Sequence, residues 1–172
     1  MKLFKSIKHV FIILSSTVLI NTFTEGFVTN ANRVINAEQR VFNEILKIQN
    51  LPCHLQSVRV KTFESTIQKM KKMDISDVYD IYDLVGFRYV FYTKDDLLKF
   101  YHHVKVEKTV WYSINYLTNP KKNEYSAMHI RYRNDYNECP IKQLECQLFL
   151  ITDYYNSIYG NAGYDKNYTL YF

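Results

Sequence analysis

Two short segments of the chain place charged side chains at spacings that suit a polyphosphate. In chain order, the charged side chains are Arg59, Lys61, Lys69, Asp83 and Arg88, and Ser65 adds a hydroxyl between the two lysines. Cationic side chains bind phosphate oxygens, and one isolated carboxylate suits the Mg²⁺ ion that accompanies them. The two segments therefore predict a site for a polyphosphate and its magnesium ion.

Two downstream segments add aromatic, basic and acidic side chains. Residues 119–129 read Asn-Pro-Lys-Lys-Asn-Glu-Tyr-Ser-Ala-Met-His, and residues 144–148 read Leu-Glu-Cys-Gln-Leu. Glu145 lies between apolar neighbours, where an unpaired charge would be costly. It is therefore either a functional group or one partner of a structural salt bridge.

In this order, the four segments resemble the synthetase domain of the RelA/SpoT family, the (p)ppGpp alarmone synthetases. The family patterns are R-x-K-[ST]-x-x-S-x-x-x-K, D-L-x-G-x-R, N-P-K-x-N-G-Y-x-S-x-H and E-x-Q-[IL]-R. One pattern alone is a weak signal, whereas four in order at suitable spacing are fairly specific. The resemblance covers roughly residues 50–166. It implies an enzyme that transfers pyrophosphate from ATP to the 3′-hydroxyl of GTP or GDP.

For the donor nucleotide, the resemblance implies a role for each matching side chain. Asp83 and Glu145 would hold Mg²⁺, and Glu145 would also deprotonate the attacking hydroxyl. Arg59 and Arg88 would stack on the two faces of the ATP adenine, because planar guanidinium groups stack well on rings. The ATP phosphates would be bound by Lys61, Ser65 and Lys69. The structural alternatives are a capping role for Asp83 and a solvated basic helix face for the lysines.

For the acceptor, the resemblance implies a second group of side chains. Tyr125 would stack on the acceptor guanine, and His129 would contact the acceptor phosphates. Lys121 and Lys122 follow a proline and could bind the same phosphates. Gln147 would orient the catalytic carboxylate. A packing role for Tyr125 and a structural role for His129 are the alternatives.

Three positions depart from the family patterns, and they concentrate on the acceptor side. Glu124 replaces a glycine, which would permit positive φ or a close approach of the ligand. Ala127 replaces a serine, and Phe149 replaces an arginine. The acceptor therefore stays open. Adenosine nucleotides or a tRNA 3′ end, as in toxic relatives of the family, are alternatives to GTP and GDP.

The composition and charge of the chain bear on which partners and which other functions it could have. The formal net charge is +5, and neither an Arg-rich run nor a zinc-finger spacing favours DNA recognition. ATP and GTP or GDP are the predicted partners, and tRNA is a less favoured one. A catalytically degenerate nucleotide-binding module and a secreted interaction protein that keeps only the fold are the competing functions.

The patterning predicts one α+β domain with a mixed β-sheet flanked by helices, in keeping with the family's nucleotidyltransferase-like sheet. Periodicity predicts helices over 32–49, 63–73, 94–103 and 153–159, with a short helical approach over 77–82. Alternating or continuous apolar runs predict strands over 57–61, 84–92, 126–133 and 141–151. Residues 104–119 are ambiguous between a strand and a loop.

The first residues of the chain resemble a secretory signal peptide. Three lysines precede an apolar run over residues 10–20, and polar and small residues follow it. This run is shorter than the ~20 residues that span a bilayer, so we expect no stable membrane span. We therefore predict a signal peptide over 1–26 and the synthetase domain over 27–172. An uncleaved membrane anchor is the second choice, followed by a buried helix or strand. Because ATP and GTP are cytosolic, secretion implies delivery into another cell's cytosol as an effector or toxin.

Overall fold

The computed structural model describes residues 26–136 and 139–159 of the 172-residue chain. Helix α1 covers residues 26–48. The elements that follow are β1 (Cys53–Val60), α2 (Phe63–Met73), a 3-10 turn (Val78–Asp80), β2 (Val85–Phe91), α3 (Lys94–Glu107), β3 (Val110–Asn115), β4 (Met128–Arg133), β5 (Gln143–Leu150) and α4 (Ile151–Tyr159). Apart from Gly26, the predicted signal peptide lies outside the described residues. Within the described ranges, every helix is too short or too polar to cross a bilayer.

The five strands form one mixed sheet in the order β1-β2-β5-β4-β3. Strands β2 and β5 run parallel, and the other neighbouring pairs run antiparallel. The parallel pair needs a long crossover, which α3, β3 and β4 provide. The predicted α+β class with a mixed, helix-flanked sheet is confirmed.

One face of the sheet carries the main hydrophobic core. Phe87 and Tyr89 of β2 point to this face and pack against α1 and α3. Phe42 of α1 contacts both rings edge-on, with centroids 5.6 and 5.4 Å away, and it also meets Phe100 of α3. Burial of one such ring contributes about 1.5–3 kcal/mol. Two helices therefore cover this face and exclude water from it.

The opposite face carries the next side chains of the same strands, because alternate residues point to opposite sides. Only part of this face is apolar: Val90 of β2, Phe149 of β5 and Tyr154 of α4 form a smaller cluster there. Most of the remaining side chains on this face are polar or aromatic, and they line a cavity. The sheet alternation thus separates the core from the candidate site.

The predicted element boundaries differ from the structure at several points. Helix α2 has the predicted limits, because Thr62 caps its first turn by accepting a hydrogen bond from the Ser65 amide. Strand β1 begins at Cys53 rather than at residue 57, and α3 continues past residue 103 because Val104 is fully buried. The ambiguous stretch contains the end of α3 and strand β3.

Candidate active site

Two rows of side chains cross the sheet on its polar face. Residues directly opposite each other on neighbouring strands share a face, so the strand register defines these rows. The first row is Arg59, Gly86, Glu145, Arg131 and Tyr112. The second row is Ser57, Arg88, Gln147, His129 and Ile114. The register therefore brings side chains from five strands, distant from one another in the sequence, onto one surface.

Asp83 lies at the start of β2, within a group of three cations. The Lys69 Nζ is 2.7 Å from Asp83 Oδ1, and the Lys61 Nζ is 3.0 Å from Oδ2. Arg59 Nη2 lies further away, 3.8 Å from Oδ2. Burial lowers the pKa of Lys61, although the nearby Asp83 carboxylate opposes this effect. The group concentrates positive charge around one carboxylate, as polyphosphate binding requires.

Glu145 lies on β5 and is only 6% exposed. Gln147 Nε2 donates a hydrogen bond of 3.0 Å to Oε1, and Arg131 Nε donates one of 3.2 Å to Oε2. His129 Nδ1 is 3.6 Å from Oε1. Burial alone would raise the pKa of Glu145, but His129, Gln147 and Arg131 outweigh it and lower the pKa to about 2. Glu145 is therefore ionised at neutral pH despite its burial.

Polar contacts connect Glu145 through Gln147 to Arg88 and through His129 to Tyr125. Gln147 Oε1 accepts a hydrogen bond of 3.0 Å from Arg88 Nη2. At the other end, the Tyr125 hydroxyl lies 2.7 Å from His129 Nε2. The amide of Gln147 thus contacts Arg88 and Glu145 simultaneously, which fits its predicted orienting role.

The polar face opens into a cavity of about 350 Å³. Its lining residues are Arg59, Lys61, Tyr82, Asp83, Tyr112, Ile114, Tyr116, Lys121, Tyr125, His129, Arg131, Glu145 and Gln147. Four of these side chains are cations and two are carboxylates, so the cavity favours an anionic ligand. Its volume lies in the range of small-molecule sites.

A narrow cleft adjoins the cavity between Arg59 and Arg88. It holds about 10 Å³, roughly the room that one water molecule needs. Gly86 forms part of its lining, and a β-carbon at Gly86 would meet only the Glu145 carbonyl oxygen, at 3.8 Å. Because Arg88 is only 4% exposed, a purine could lie between the two arginines only if they moved apart. The predicted adenine sandwich stays a prediction.

The acceptor end of the cavity is aromatic. Tyr125 is 4% exposed, and its ring packs edge-on against Phe149, with centroids 5.8 Å apart. Ala127 and Phe149 are fully buried in the same cluster. Lys121 Nζ lies 4.6 Å from the centre of the Tyr125 ring. Two of the three departures from the family patterns therefore pack around the tyrosine predicted to stack on the acceptor.

The third departure, Glu124, has a φ of 63°. The Glu124 amide donates to the Lys121 carbonyl at 2.8 Å, and the Lys121 amide donates to the Tyr125 carbonyl at 3.1 Å. This turn requires the left-handed conformation that glycine adopts readily. Glu124 therefore retains the backbone geometry expected of the replaced glycine, at some conformational cost.

The structure brings most of the predicted site residues to the cavity or its cleft. Those that line one or both are Arg59, Lys61, Asp83, Arg88, Lys121, Tyr125, His129, Glu145 and Gln147. Lys69 joins them through Asp83. Ser65 and Lys122 are exposed and do not line either space, and Ser65 Oγ accepts a hydrogen bond of 2.9 Å from Thr62 Oγ1. Their predicted phosphate contacts stay predictions.

Five cavity residues were not predicted from the sequence: Tyr82, Tyr112, Ile114, Tyr116 and Arg131. Arg131 comes two residues after His129 on a predicted strand, so the alternation placed both on one face. That spacing was the available signal. The three tyrosines gave no local signal among the sixteen tyrosines of the chain.

The donor atoms suit a magnesium ion that arrives with a polyphosphate. Within residues 26–136 and 139–159, no group of three or more His, Cys, Asp or Glu side chains forms a metal site. Asp83 and Glu145 nevertheless present carboxylate oxygens to the same cavity. Mg²⁺ is typically held by one or two carboxylates together with substrate phosphates and water. The residues present therefore fit a phosphate-accompanied Mg²⁺ ion rather than an all-protein metal cage.

Comparisons with known proteins agree with the resemblance of the four motifs. A family model described as "Region found in RelA / SpoT proteins" matches residues 58–153. Small alarmone synthetase 2 from Bacillus subtilis aligns with a TM-score of 0.66 and 21% identity, over 82% of this chain and 80% of that one. Small alarmone synthetase 1 from Bacillus subtilis aligns with a TM-score of 0.62 in two structures. The structure bound to its product pppGpp is 15% identical over 82% of this chain and 81% of that one, and the structure bound to AMPCPP is 14% identical over 86% and 81%. No curated protein matched the chain.

Proposed function

Because the chain belongs to the RelA/SpoT family, we propose that it transfers the pyrophosphoryl group of ATP to the 3′-hydroxyl of GTP or GDP. Family membership supports pyrophosphokinase activity in general. The observation that carries the proposal is the convergence of Asp83 and Glu145, distant in sequence, on one cation-lined cavity. The pppGpp and AMPCPP complexes of the Bacillus subtilis synthetase support a guanosine acceptor and an ATP donor.

The reaction exchanges one phosphorus–oxygen bond for another. The 3′-oxygen of the acceptor forms a bond to the β-phosphorus of ATP. The bond from that phosphorus to the oxygen that bridges the α- and β-phosphates breaks, and AMP leaves with this oxygen and its electron pair. The hydroxyl proton passes to a base. Charge that develops on the phosphate oxygens must be stabilised by positioned cations.

The donor nucleotide would occupy the side of the cavity with three cations. Arg59, Lys61 and Lys69 already surround one carboxylate, and phosphate oxygens can take over these contacts. Asp83 and Glu145 would hold Mg²⁺, which supplies positive charge for the leaving oxygen. In this arrangement, the protein mainly positions the donor and balances its charge.

The acceptor would occupy the aromatic side. The Tyr125 ring can stack on a base if it moves out from beneath Phe149, and Lys121 can meet the acceptor phosphates. Glu145 is ionised and can accept the hydrogen bond of the attacking hydroxyl. Gln147 and Arg131 hold both of its oxygens, which fixes the direction of this carboxylate.

The cellular setting is also part of the proposal. Residues 1–26 would direct export, and ATP and the acceptor would be met in the cytosol of a recipient cell. A reporter enzyme fused to residues 1–26 tests export: we expect it outside the producing cell. A reporter that stays in the cytosol would contradict this part and leave the proposed chemistry intact.

A panel of acceptors tests the proposed chemistry. The full chain is incubated with Mg²⁺, ATP labelled in the γ-phosphate, and GTP, GDP, ATP or tRNA, each paired with its 3′-deoxy form. We expect label on GTP or GDP and none on the 3′-deoxy acceptors. Label on an adenosine nucleotide or on tRNA would instead identify a different acceptor.

A catalytically degenerate nucleotide-binding module is the second candidate. It is favoured by the contacts that already engage every carboxylate oxygen of Asp83 and Glu145. Such a module would bind ATP in calorimetry but transfer no label to any acceptor. The same panel therefore separates the two candidates.

A further inference from the structure

Arg131 lies outside the four motifs, but it contacts groups on both sides of the cavity. Its guanidinium carbon is 3.5 Å from the ring centre of Tyr82 and 4.5 Å from that of Tyr112. Its Nε donates the hydrogen bond of 3.2 Å to Glu145. Tyrosine faces attract a guanidinium group and restrict its plane. The Arg131 side chain is thus held in place before any ligand arrives.

The ring of Tyr82 also receives a second cation. Lys69 Nζ lies 3.6 Å from its centre, so Lys69 and Arg131 are at most about 7 Å apart. Lys69 contacts Asp83, whereas Arg131 contacts Glu145. One tyrosine therefore joins two cations, each paired with one of the two carboxylates that the proposed reaction uses. Asp83, Glu145 and Arg131 line the same cavity, so phosphate groups bound between the two carboxylates would lie close to Arg131.

We propose that Arg131 binds the pyrophosphoryl group during its transfer, a phosphate-binding role that no motif assigns to it. This inference rests on the proposed function. Arg131 forms and breaks no covalent bond. It donates hydrogen bonds to oxygens of the group that moves from the α,β-bridging oxygen to the acceptor oxygen. A planar guanidinium suits this task because its fork matches phosphate geometry and its charge persists at every physiological pH.

Charge balance in the cavity supports this role. Arg131 is one of four cations there, and its present partner Glu145 is also held by Gln147 and lies near His129. Glu145 thus keeps two polar neighbours if a phosphate competes with it for the Arg131 guanidinium. A multiply charged polyphosphate is a stronger competitor for a guanidinium than one carboxylate that has other partners.

The alternative is that Arg131 only neutralises the buried Glu145. The two roles differ in what substitution changes. A neutralising partner affects stability, and lysine should replace it. A phosphate ligand affects turnover and pyrophosphate binding, and lysine should replace it poorly, because an ammonium group lacks the fork.

The test compares Arg131→Gln and Arg131→Lys with Lys71→Gln, which removes an exposed cation in the last turn of α2. For each full-length variant, kcat and both KM values are measured, together with calorimetric binding of magnesium pyrophosphate and the unfolding midpoint.

We expect Arg131→Gln to lower kcat about 100-fold, as loss of one transition-state donor does. The KM for the acceptor should stay within about 3-fold. The kcat of Arg131→Lys should be about 10-fold higher than that of Arg131→Gln. The kcat of Lys71→Gln should match that of the wild type.

Several outcomes would overturn the proposal. One is an Arg131→Gln variant whose kcat and pyrophosphate affinity both match those of Lys71→Gln. If Arg131→Gln does not fold, Arg131→Lys decides, and wild-type turnover in that variant would assign Arg131 a structural role only.

Failure of the proposed function is distinguishable from failure of this inference. If the wild type transfers label to no acceptor, the proposed function fails, and pyrophosphate binding decides about Arg131. At least about 10-fold weaker binding in Arg131→Gln would support the phosphate role. Unchanged pyrophosphate binding in Arg131→Gln would contradict the phosphate role.

Discussion

The two sides of the cavity are built on different physical principles. The proposed donor side comprises Arg59, Lys61, Lys69 and Asp83, and the proposed acceptor side comprises Lys121, Tyr125, Ala127, His129 and Phe149. On the donor side, partly exposed cations surround a carboxylate, and ion pairs hold the group together. On the acceptor side, buried rings pack edge-on, with Tyr125 between Phe149 and Tyr116.

This difference explains where the chain departs from its family. Ala127 and Phe149 belong to one buried cluster, in which they pack with Tyr125 and the other cluster members. The donor side keeps every matching cation and carboxylate. The charged groups of the family patterns are therefore retained on the proposed donor side, and the departures from those patterns lie in the packed cluster on the proposed acceptor side. Substitutions on the proposed donor side should therefore change catalysis, and substitutions on the proposed acceptor side should change the free energy of unfolding.

The largest expected effect tests whether both sides share one catalytic centre. Glu145→Gln and Asp83→Asn should each lower kcat by about 10²–10⁴-fold, because each removes a carboxylate needed for the metal or the proton. Initial rates at saturating ATP and acceptor measure this. Lys72→Gln, an exposed cation in the last turn of α2, is the control and should change little. Near-normal turnover in either carboxylate variant would separate that residue from the reaction.

A second prediction tests the packing of the acceptor side. Restoring the family's cation through Phe149→Arg should cost about 2–4 kcal/mol of unfolding free energy, because it buries a charge in an apolar cluster beside Arg88. Urea denaturation measures this change. Phe149→Leu, which keeps the site apolar, should cost about 1 kcal/mol. An arginine variant as stable as the leucine variant would show that the cluster tolerates a cation.

A third prediction compares one residue from each side. Arg59→Ala should raise the KM for ATP about 10-fold and leave the acceptor KM nearly unchanged, because it removes a donor-side cation. Tyr125→Phe removes the hydroxyl contact with His129 and should raise the acceptor KM about 3–10-fold. Steady-state kinetics with each substrate varied in turn separates the two effects. Equal changes in both KM values for either variant would remove the distinction between the sides.

The smallest expected effect concerns the turn that leads into the acceptor side. Glu124→Gly should raise the unfolding free energy by up to about 1 kcal/mol, because glycine adopts the left-handed conformation without a steric penalty. Glu124→Ala keeps the β-carbon and should give little gain. Thermal unfolding of the two variants measures the difference. If both gain equally, the glutamate side chain rather than its backbone strain is unfavourable.

The sequence predicted the elements whose signals are local. Helix α2 was predicted with its observed limits, because its periodicity is a signal contained within the helix itself. The apolar run at β2 identified a buried interior strand for the same reason. The glycine that Glu124 replaces would permit either a positive φ or a close approach of the ligand, and the structure has the positive φ.

The parts that were not predicted depend on contacts between distant segments. The extension of α3 follows from burial of Val104 against the sheet core, and β3 forms by pairing with β4. Arg131, Tyr82 and Tyr112 meet only because strand register and the loop before β2 bring them together. The alternation within one strand shows which residues share a face, but it does not show which distant strands are neighbours in the sheet. The motifs therefore identified the charged partners but not the aromatic rings that hold Arg131.

The most direct test of the central claim measures the products of ATP in the complete reaction. The full chain, Mg²⁺, ATP and the accepted nucleotide are incubated, and products are quantified by mass spectrometry for the wild type and Glu145→Gln. Pyrophosphoryl transfer predicts AMP and pyrophosphorylated acceptor in equal amounts, with both lost in the variant. ADP and phosphate in place of AMP, or ATP that is bound but unchanged, would contradict the claim.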